Sequence, residues 1–130
     1  MRIDANDLYR TVGGLIDKFG QDAEDCLSEA VWQTAGEVVK RLKKAGSFGG
    51  TGSYKKGWSR KMTRKRLYAE ATVYNKTEGS ITHLLEFGHA LRNGGRARAF
   101  PHIAPINDEV PEIFEDKFTD LLAERLIESR

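Results

Sequence analysis

The chain has one cysteine, three prolines and no long hydrophobic run among its 130 residues. A single cysteine, Cys26, cannot form an internal disulfide, and its place among helix-core positions predicts a buried structural thiol. No apolar run approaches the roughly 20 residues needed to span a bilayer. The first ten residues also lack the apolar segment of a signal peptide. The length predicts a single domain, 1–130, and these absences predict a protein assembled inside a cell without membrane segments.

Acidic residues are absent from a long central stretch, and the chain is therefore electrically uneven. Between Val38 and Ala69 there is no Asp or Glu, but there are eleven cations: Lys40, Arg41, Lys43, Lys44, Lys55, Lys56, Arg60, Lys61, Arg64, Lys65 and Arg66. From Asn107 to the end, eight acids outnumber three basic residues. The formal net charge of +2 hides this separation.

Recognisable catalytic patterns are also lacking. His83, Glu86 and His89 spell H-x-x-E-x-x-H, but the third residue lies far round the helix from the first two and beyond Gly88. The glycines at 46–52 follow a predicted helix and lack the G-K-[ST] ending of a phosphate-binding loop. We therefore expect no enzyme, metal, cofactor or small-molecule substrate. Glu86 and the histidines are expected to satisfy local backbone and loop groups.

Helical periodicity is clearest in the first half of the chain. Ile3 to Phe19 has apolar residues at helical spacing. Asp22 to Ala45 is predicted as a long helix capped by Asp22, with Gly46 just beyond its end. Its inward stripe consists of positions 23, 26, 27, 30, 31, 34, 35, 38, 39 and 42.

The middle of the chain reads as a linker followed by two antiparallel strands. Residues 47–53 are rich in Gly and Ser and predict a flexible connection. The first strand is predicted around Tyr54, Trp58 and Met62. The second, Leu67 to Asn75, alternates apolar and polar residues. A turn near Arg64–Arg66 joins them.

The last third is predicted to contain a short helix, a loop and a long helix. Ser80 is expected to cap a helix around Ile81–Phe87 that ends at Gly88. A basic loop spans 89–101. The last helix is expected to begin between Asp108 and Pro111, since proline is tolerated in a first turn, and to reach about Ile127. The sequence thus predicts an α+β fold, with a small antiparallel sheet packed against a long helix and a C-terminal helix.

The segment from His83 to Pro105 points to assembly with other chains. Within it, Ala90–Ala99 is expected to be mobile in the free protein, because Asn93-Gly94-Gly95 has little side-chain surface to bury. Its flanking anchors, Phe87, Leu91, Phe100 and Ile103, are expected to stay packed. The predicted subunit or partner interface consists of Trp58, Glu86, Phe87, Arg92, Arg96, Arg98, Phe100 and His102.

The basic block has two interpretations that the sequence leaves open. Its cations, with interleaved aromatics, could bind nucleic-acid phosphates and bases without sequence preference. They could equally face acids of a neighbouring subunit, supplied by the C-terminal helix. The candidate residues for either contact are Lys55, Lys56, Arg60, Lys61, Arg64, Lys65 and Arg66.

Two stretches, Thr82–Arg96 and Ala99–Pro105, are similar in sequence to members of a family of small bacteriophage proteins. The chain resembles the head–tail joining (neck, or tail-completion) family, typified by the tenth gene product of an HK-type lambdoid phage. Other features of the family also have counterparts in this chain. They are an amphipathic helix at 22–45, Thr51-Gly52, an aromatic-bearing strand at 54–58 and Glu86-Phe-Gly88. After Pro105 this chain has Ile106-Asn107 where members often have P-A-[LE].

The resemblance implies a non-enzymatic virion component assembled in the host bacterial cytoplasm. It implies a homo-oligomeric ring, a hexamer or dodecamer, at the junction between the DNA-filled head and the tail. The implied partners are other copies of the chain and neighbouring neck and tail proteins, with passing DNA as a non-specific contact. The resemblance is consistent with either a head-side connector or a tail terminator.

Overall fold

The fold is organised around one long helix, α1 (Gln21–Ala45). A computed structural model describes residues 2–4, 20–46, 52–65 and 68–128. The predicted apolar stripe of α1 is confirmed: Ala23, Cys26, Leu27, Ala30, Val31, Thr34, Ala35, Val38 and Leu42 are buried, and Val39 is partly buried. Burial raises the pKa of the Cys26 thiol, in agreement with a structural role. The expected cap is wrong, because the helix begins at Gln21, after Gly20, and its start has no side-chain cap.

A small antiparallel sheet packs against one side of α1. Its strands are β1 (Arg2–Asp4), β2 (Trp58–Lys65) and β3 (Tyr68–Asn75), in the order β1-β3-β2. The alternation of β3 is confirmed, since Ala69, Ala71 and Val73 are buried. Register pairs Arg60 with Val73, Met62 with Ala71, and Arg64 with Ala69, so these residues share the face towards α1.

Two predictions about the first half of the chain need correction. Residues 2–4 form β1 and pair with β3, rather than beginning a helix; the rest of the predicted helix, 5–19, lies outside the described residues. Tyr54 belongs to a one-turn helix, α2 (Ser53–Lys56), and the strand begins only at Trp58. Arg66 and Leu67 also lie outside the described residues.

The C-terminal helix α4 (Ile103–Glu128) also packs against α1. An ion pair joins Arg41, near the end of α1, to Glu109, near the start of α4. Another joins Asp22 to Arg125 at the opposite ends, so the two helices are antiparallel. Ile113, Phe114 and Phe118 fill the contact, in which the two phenyl rings stack with centroids 5.7 Å apart. The long helix α1 therefore contacts both the sheet and α4.

The connection between sheet and α4 contains two short elements. A 3₁₀ turn (Gly79–Ile81) leads into α3 (Thr82–Phe87), which starts without a side-chain cap from Ser80 and ends at Gly88. The predicted loop contains a small hairpin of β4 (His89–Ala90) and β5 (Arg96–Ala97). The fold is α+β, as predicted. No helix in the described part of the chain is long and apolar enough to cross a membrane.

Candidate assembly surface

The site begins with a buried carboxylate that fixes the start of α4. Glu86, on α3, accepts backbone hydrogen bonds from His102 (2.8 Å), Ile103 (2.9 Å) and Ala104 (3.0 Å). These are donors that a helix start leaves without intrahelical partners, and Pro105, which follows, has no N–H to satisfy. Glu86 thus acts as a tertiary cap. Glu86 does satisfy backbone groups, but they lie 16 to 18 residues along the chain, so the expectation of local partners is wrong, and so is the predicted helix start at 108–111.

The electrostatics of Glu86 follow from these contacts. Burial alone would raise its pKa, but the three N–H donors and the neighbouring His102 outweigh that effect and hold the pKa below its ordinary value. The negative charge also lies at the positive end of the α4 dipole. The carboxylate is therefore stabilised in its ionised form inside the protein.

His102 and two aromatic residues continue this buried network. The ring Nε2 of His102 lies 2.7 Å from the hydroxyl of Tyr54, and Nδ1 lies 2.6 Å from the carbonyl oxygen of Phe100. The Tyr54 hydroxyl can donate to Nε2, and Nδ1, which also lies 3.0 Å from a carboxylate oxygen of Glu86, can donate to the carbonyl of Phe100. Trp58 packs edge-on against both rings, at centroid distances of 5.5 and 6.1 Å.

This network changes the predicted interface. Trp58, Glu86 and His102 are almost fully buried inside the subunit, so their side chains are not available to a partner. They hold the chain on either side of the hairpin instead. The candidate assembly surface therefore does not include these three side chains.

The hairpin is fixed at its base and exposed along its length. At the base, the Phe100 amide donates to the carbonyl oxygen of Leu85 (2.7 Å), and Arg96 donates to that of Phe87 (3.3 Å). At the tip, Leu91 and Gly95 pair through a 2.8 Å backbone bond, with Asn93 and Gly94 in the turn. Residues 90–96 are all exposed. We call the segment 87–100 the arm.

The arm carries large apolar side chains in contact with solvent. Phe87 is 72% exposed, Leu91 41% and Phe100 38%. The expectation that these three residues are packed anchors is therefore wrong, although Ile103 does pack against the core. Exposed arginines accompany them: Arg92, Arg96 and Arg98, with the Arg98 guanidinium 5.5 Å from the centre of the Phe100 ring.

The basic block is divided by the fold rather than displayed as one patch. Arg60 lies over the Trp32 ring, 3.6 Å from its centre, and donates to the Trp32 carbonyl oxygen. Arg64 forms a 2.6 Å ion pair with Asp25. Both side chains therefore lie against α1. The exposed cations left near the sheet are Lys55, Lys56, Lys61 and Lys65.

An acidic surface lies on α4. The outward face of α4 carries exposed acids at helical spacing: Asp108, Glu112, Glu115, Asp116 and Asp120. No ion pair involves any of them within the described ranges. We call these five residues the acidic stripe. The sequence indicated an acidic helix, but it did not indicate which acids stay unpaired.

No group of three or more His, Cys, Asp or Glu side chains is placed to hold a metal ion in the part of the chain that the structure describes. His83 is exposed, while Glu86 is turned inward to α4. The charged features on the described surface therefore include the arm, the acidic stripe, the sheet lysines (Lys55, Lys56, Lys61 and Lys65) and the exposed Lys40, Lys43 and Lys44 near the end of α1. Comparison of the chain with protein-family models, with curated proteins and with solved structures gives no match.

Proposed function

We propose that this protein is a structural subunit of a bacteriophage virion, which assembles with copies of itself into a ring at the head–tail junction. Such a ring, a neck, connector or tail-completion component, joins the DNA-filled head to the tail without catalysing a reaction. The amino-acid sequence of residues 82–105 supports the proposal, because it resembles that of the head–tail joining family. That segment includes the whole arm and the carboxylate that anchors it.

The observation that carries the proposal is the separation of charge on the subunit surface. The acidic stripe lies on the outward face of α4, whereas exposed cations with no ion pair in the described ranges lie elsewhere on the subunit, on the arm and along β2. A surface of one sign on one copy can therefore meet a surface of the opposite sign on the next. Contacts of this heterologous kind propagate, and they close into a ring when the rotation between copies allows it. Charge complementarity also sets the register of such contacts.

Self-association measured against salt tests the proposal. Light scattering and negative-stain images of the purified protein should show rings of six or twelve copies at low ionic strength. The rings should weaken towards 1 M salt, where the Debye length falls to roughly 3 Å. Purified virions should contain the same ring. A protein that stays monomeric at every concentration and forms no ring in virions contradicts the proposal.

A further inference from the structure

We infer that the arm is the surface with which each copy contacts the next, and that it docks on the acidic stripe of α4 in that next copy. The inference rests on the proposed self-assembly and names the two surfaces involved. It assigns the sheet lysines no part in the contact.

The arm has the composition of an interface core. Among the described residues, five large hydrophobic side chains are exposed, and Phe87, Leu91 and Phe100 are three of them. Exposed apolar groups gathered in one segment mark interaction sites, whereas scattered ones do not. Aromatic residues and arginine are also the types enriched where proteins meet. The three arm arginines lie beside these side chains, so the arm offers both apolar area and directed charge.

The acidic stripe has the complementary character. The sequence contains no acid between Glu86 and Asp108, so the arm is purely cationic. The exposed residues from Asp108 to Asp120 include no cation, because Lys117 is half-buried. Asp108 and Asp120 are separated by about 18 Å along the helix, at 1.5 Å per residue, which is enough length for several guanidinium groups. Guanidinium–carboxylate pairs are stronger and more directional than ordinary hydrogen bonds. Exposed Pro111 and Ala123 lie among the acids and offer small apolar contacts to aromatic rings.

A contact between copies is favoured over one within the subunit. Arg96 donates to the carbonyl oxygen of Phe87 and Arg98 lies against Phe100; no ion pair joins an arm arginine to the stripe within the described ranges. The arm arginines and the acidic stripe of each copy are thus both available to another copy. Because these differ, the contact repeats from copy to copy.

The sheet lysines are the alternative cationic surface, and they fit less well. Lysine is depleted at interfaces, since its ammonium group is strongly hydrated and its side chain is flexible. Lys61 already lies 5.4 Å from the ring centre of Tyr74. The neighbouring Thr63 and Lys65 add no apolar area to the patch.

Charge reversal with a matched control tests the inference. The arm variant carries Arg92→Glu, Arg96→Glu and Arg98→Glu. The helix variant carries Glu112→Lys, Glu115→Lys and Asp116→Lys. The control variant carries Lys56→Glu, Lys61→Glu and Lys65→Glu, which is the same change in net charge as in the arm variant. Sedimentation velocity at low salt would follow the association of each protein and of mixtures.

The arm variant alone and the helix variant alone should each associate at least tenfold more weakly than the original protein. Their equimolar mixture should recover assembly, because each original surface then finds its original partner and the two reversed surfaces also match. The control variant should assemble like the original protein. A companion triple change of the arm arginines to Ser should leave the melting temperature nearly unchanged, which separates lost contact from lost fold.

Three outcomes would overturn the inference in distinguishable ways. Assembly of both reversed variants at the original strength excludes these surfaces but leaves the ring proposal standing. Loss in each variant without recovery in the mixture shows that the arm and the stripe contact other surfaces. An original protein that is monomeric from micromolar to millimolar concentration and forms no ring in virions removes both this inference and the self-assembly on which it rests.

Discussion

Glu86 shows how one buried side chain decides the position of a long helix. Its two carboxylate oxygens accept three backbone N–H groups that come from 16 to 18 residues further along the chain. A helix that starts without a neighbouring Ser, Thr, Asp or Asn cap leaves these donors without partners. The carboxylate supplies that cap from α3, and the chain therefore enters α4 at Ile103 rather than at the acids near residue 108.

We expect Glu86→Gln to lower the free energy of unfolding by about 1–3 kcal/mol, because an amide can offer only one acceptor oxygen to the three buried donors. Chemical denaturation of the isolated protein would measure the change. The exposed Glu29→Gln, on α1, should change stability by less than about 0.5 kcal/mol. Equal effects of the two substitutions would contradict a capping role for Glu86.

The effect of Glu86→Gln on stability should depend on pH. The pKa of Glu86 is lowered in the folded protein relative to its ordinary value of 4.5. The folded state therefore gains stability from its ionised form above that value, and this gain disappears as pH falls through the lowered pKa. The difference in stability between the original protein and Glu86→Gln should be constant near pH 7 and should shrink below about pH 4.5. A difference that grows on acidification would contradict the assignment.

At the scale of elements, the arm depends on how it leaves α3. Gly88 ends that helix at φ 74°, and a Cβ atom there would lie 2.6 Å from the carbonyl oxygen of Ala97. The two sides of the arm therefore approach closely only because residue 88 has no side chain. The hairpin above this point has two residues in each strand, and hairpins without further packing are marginally stable.

We expect Gly88→Ala to displace the arm and to cost more stability than Gly94→Ala. Both glycines have positive φ, but a Cβ at Gly94 would meet no atom within 4 Å, so the second change reports only backbone strain of about 1 kcal/mol. Hydrogen exchange at the arm amides, together with thermal melting, would compare them. Exchange along the arm should be faster in Gly88→Ala than in the original protein. In the original protein, fast exchange in the monomer that slows on assembly would support the predicted mobility of Ala90–Ala99. Equal effects of the two changes would show that the close approach is unimportant.

At the scale of the whole molecule, folding redistributes the charge that the sequence keeps in one block. Arg41 pairs with Glu109, Arg64 with Asp25, and Arg60 packs on Trp32. The eleven cations between 38 and 69 are thus not one surface, and this weakens the interpretation of the block as a nucleic-acid site. The acids of α4 keep their charge on the outside of the molecule.

DNA binding by the purified protein should be weak and independent of sequence. If the four sheet lysines alone contact phosphates, the logarithm of affinity should fall with the logarithm of salt concentration at a slope of about −4 or shallower. Fluorescence anisotropy with a labelled duplex should give a dissociation constant above roughly 1 μM at 150 mM salt. Binding tighter than that, lost in Lys61→Glu/Lys65→Glu, would favour a dedicated nucleic-acid-binding function.

The sequence by itself determined the elements whose pattern is local. The apolar stripe of α1 and the alternation of β3 identify their buried faces, because helical and strand periodicity place side chains without reference to the rest of the chain. Gly88 as the end of α3 and the burial of Cys26 follow from the same kind of reasoning. The α+β class follows from the order of these elements.

Tertiary structure alone decided the features that depend on distant partners. β1 exists through pairing with β3, although its residues fit a helical pattern, and α4 begins where Glu86 can reach it. Packing also turned Trp58 and His102 inward, against their predicted place in the interface, and left Phe87 exposed, against its predicted place as a packed anchor. Periodicity cannot reveal such choices, because the burial of one side chain or the pairing of one charge depends on groups that only folding brings together.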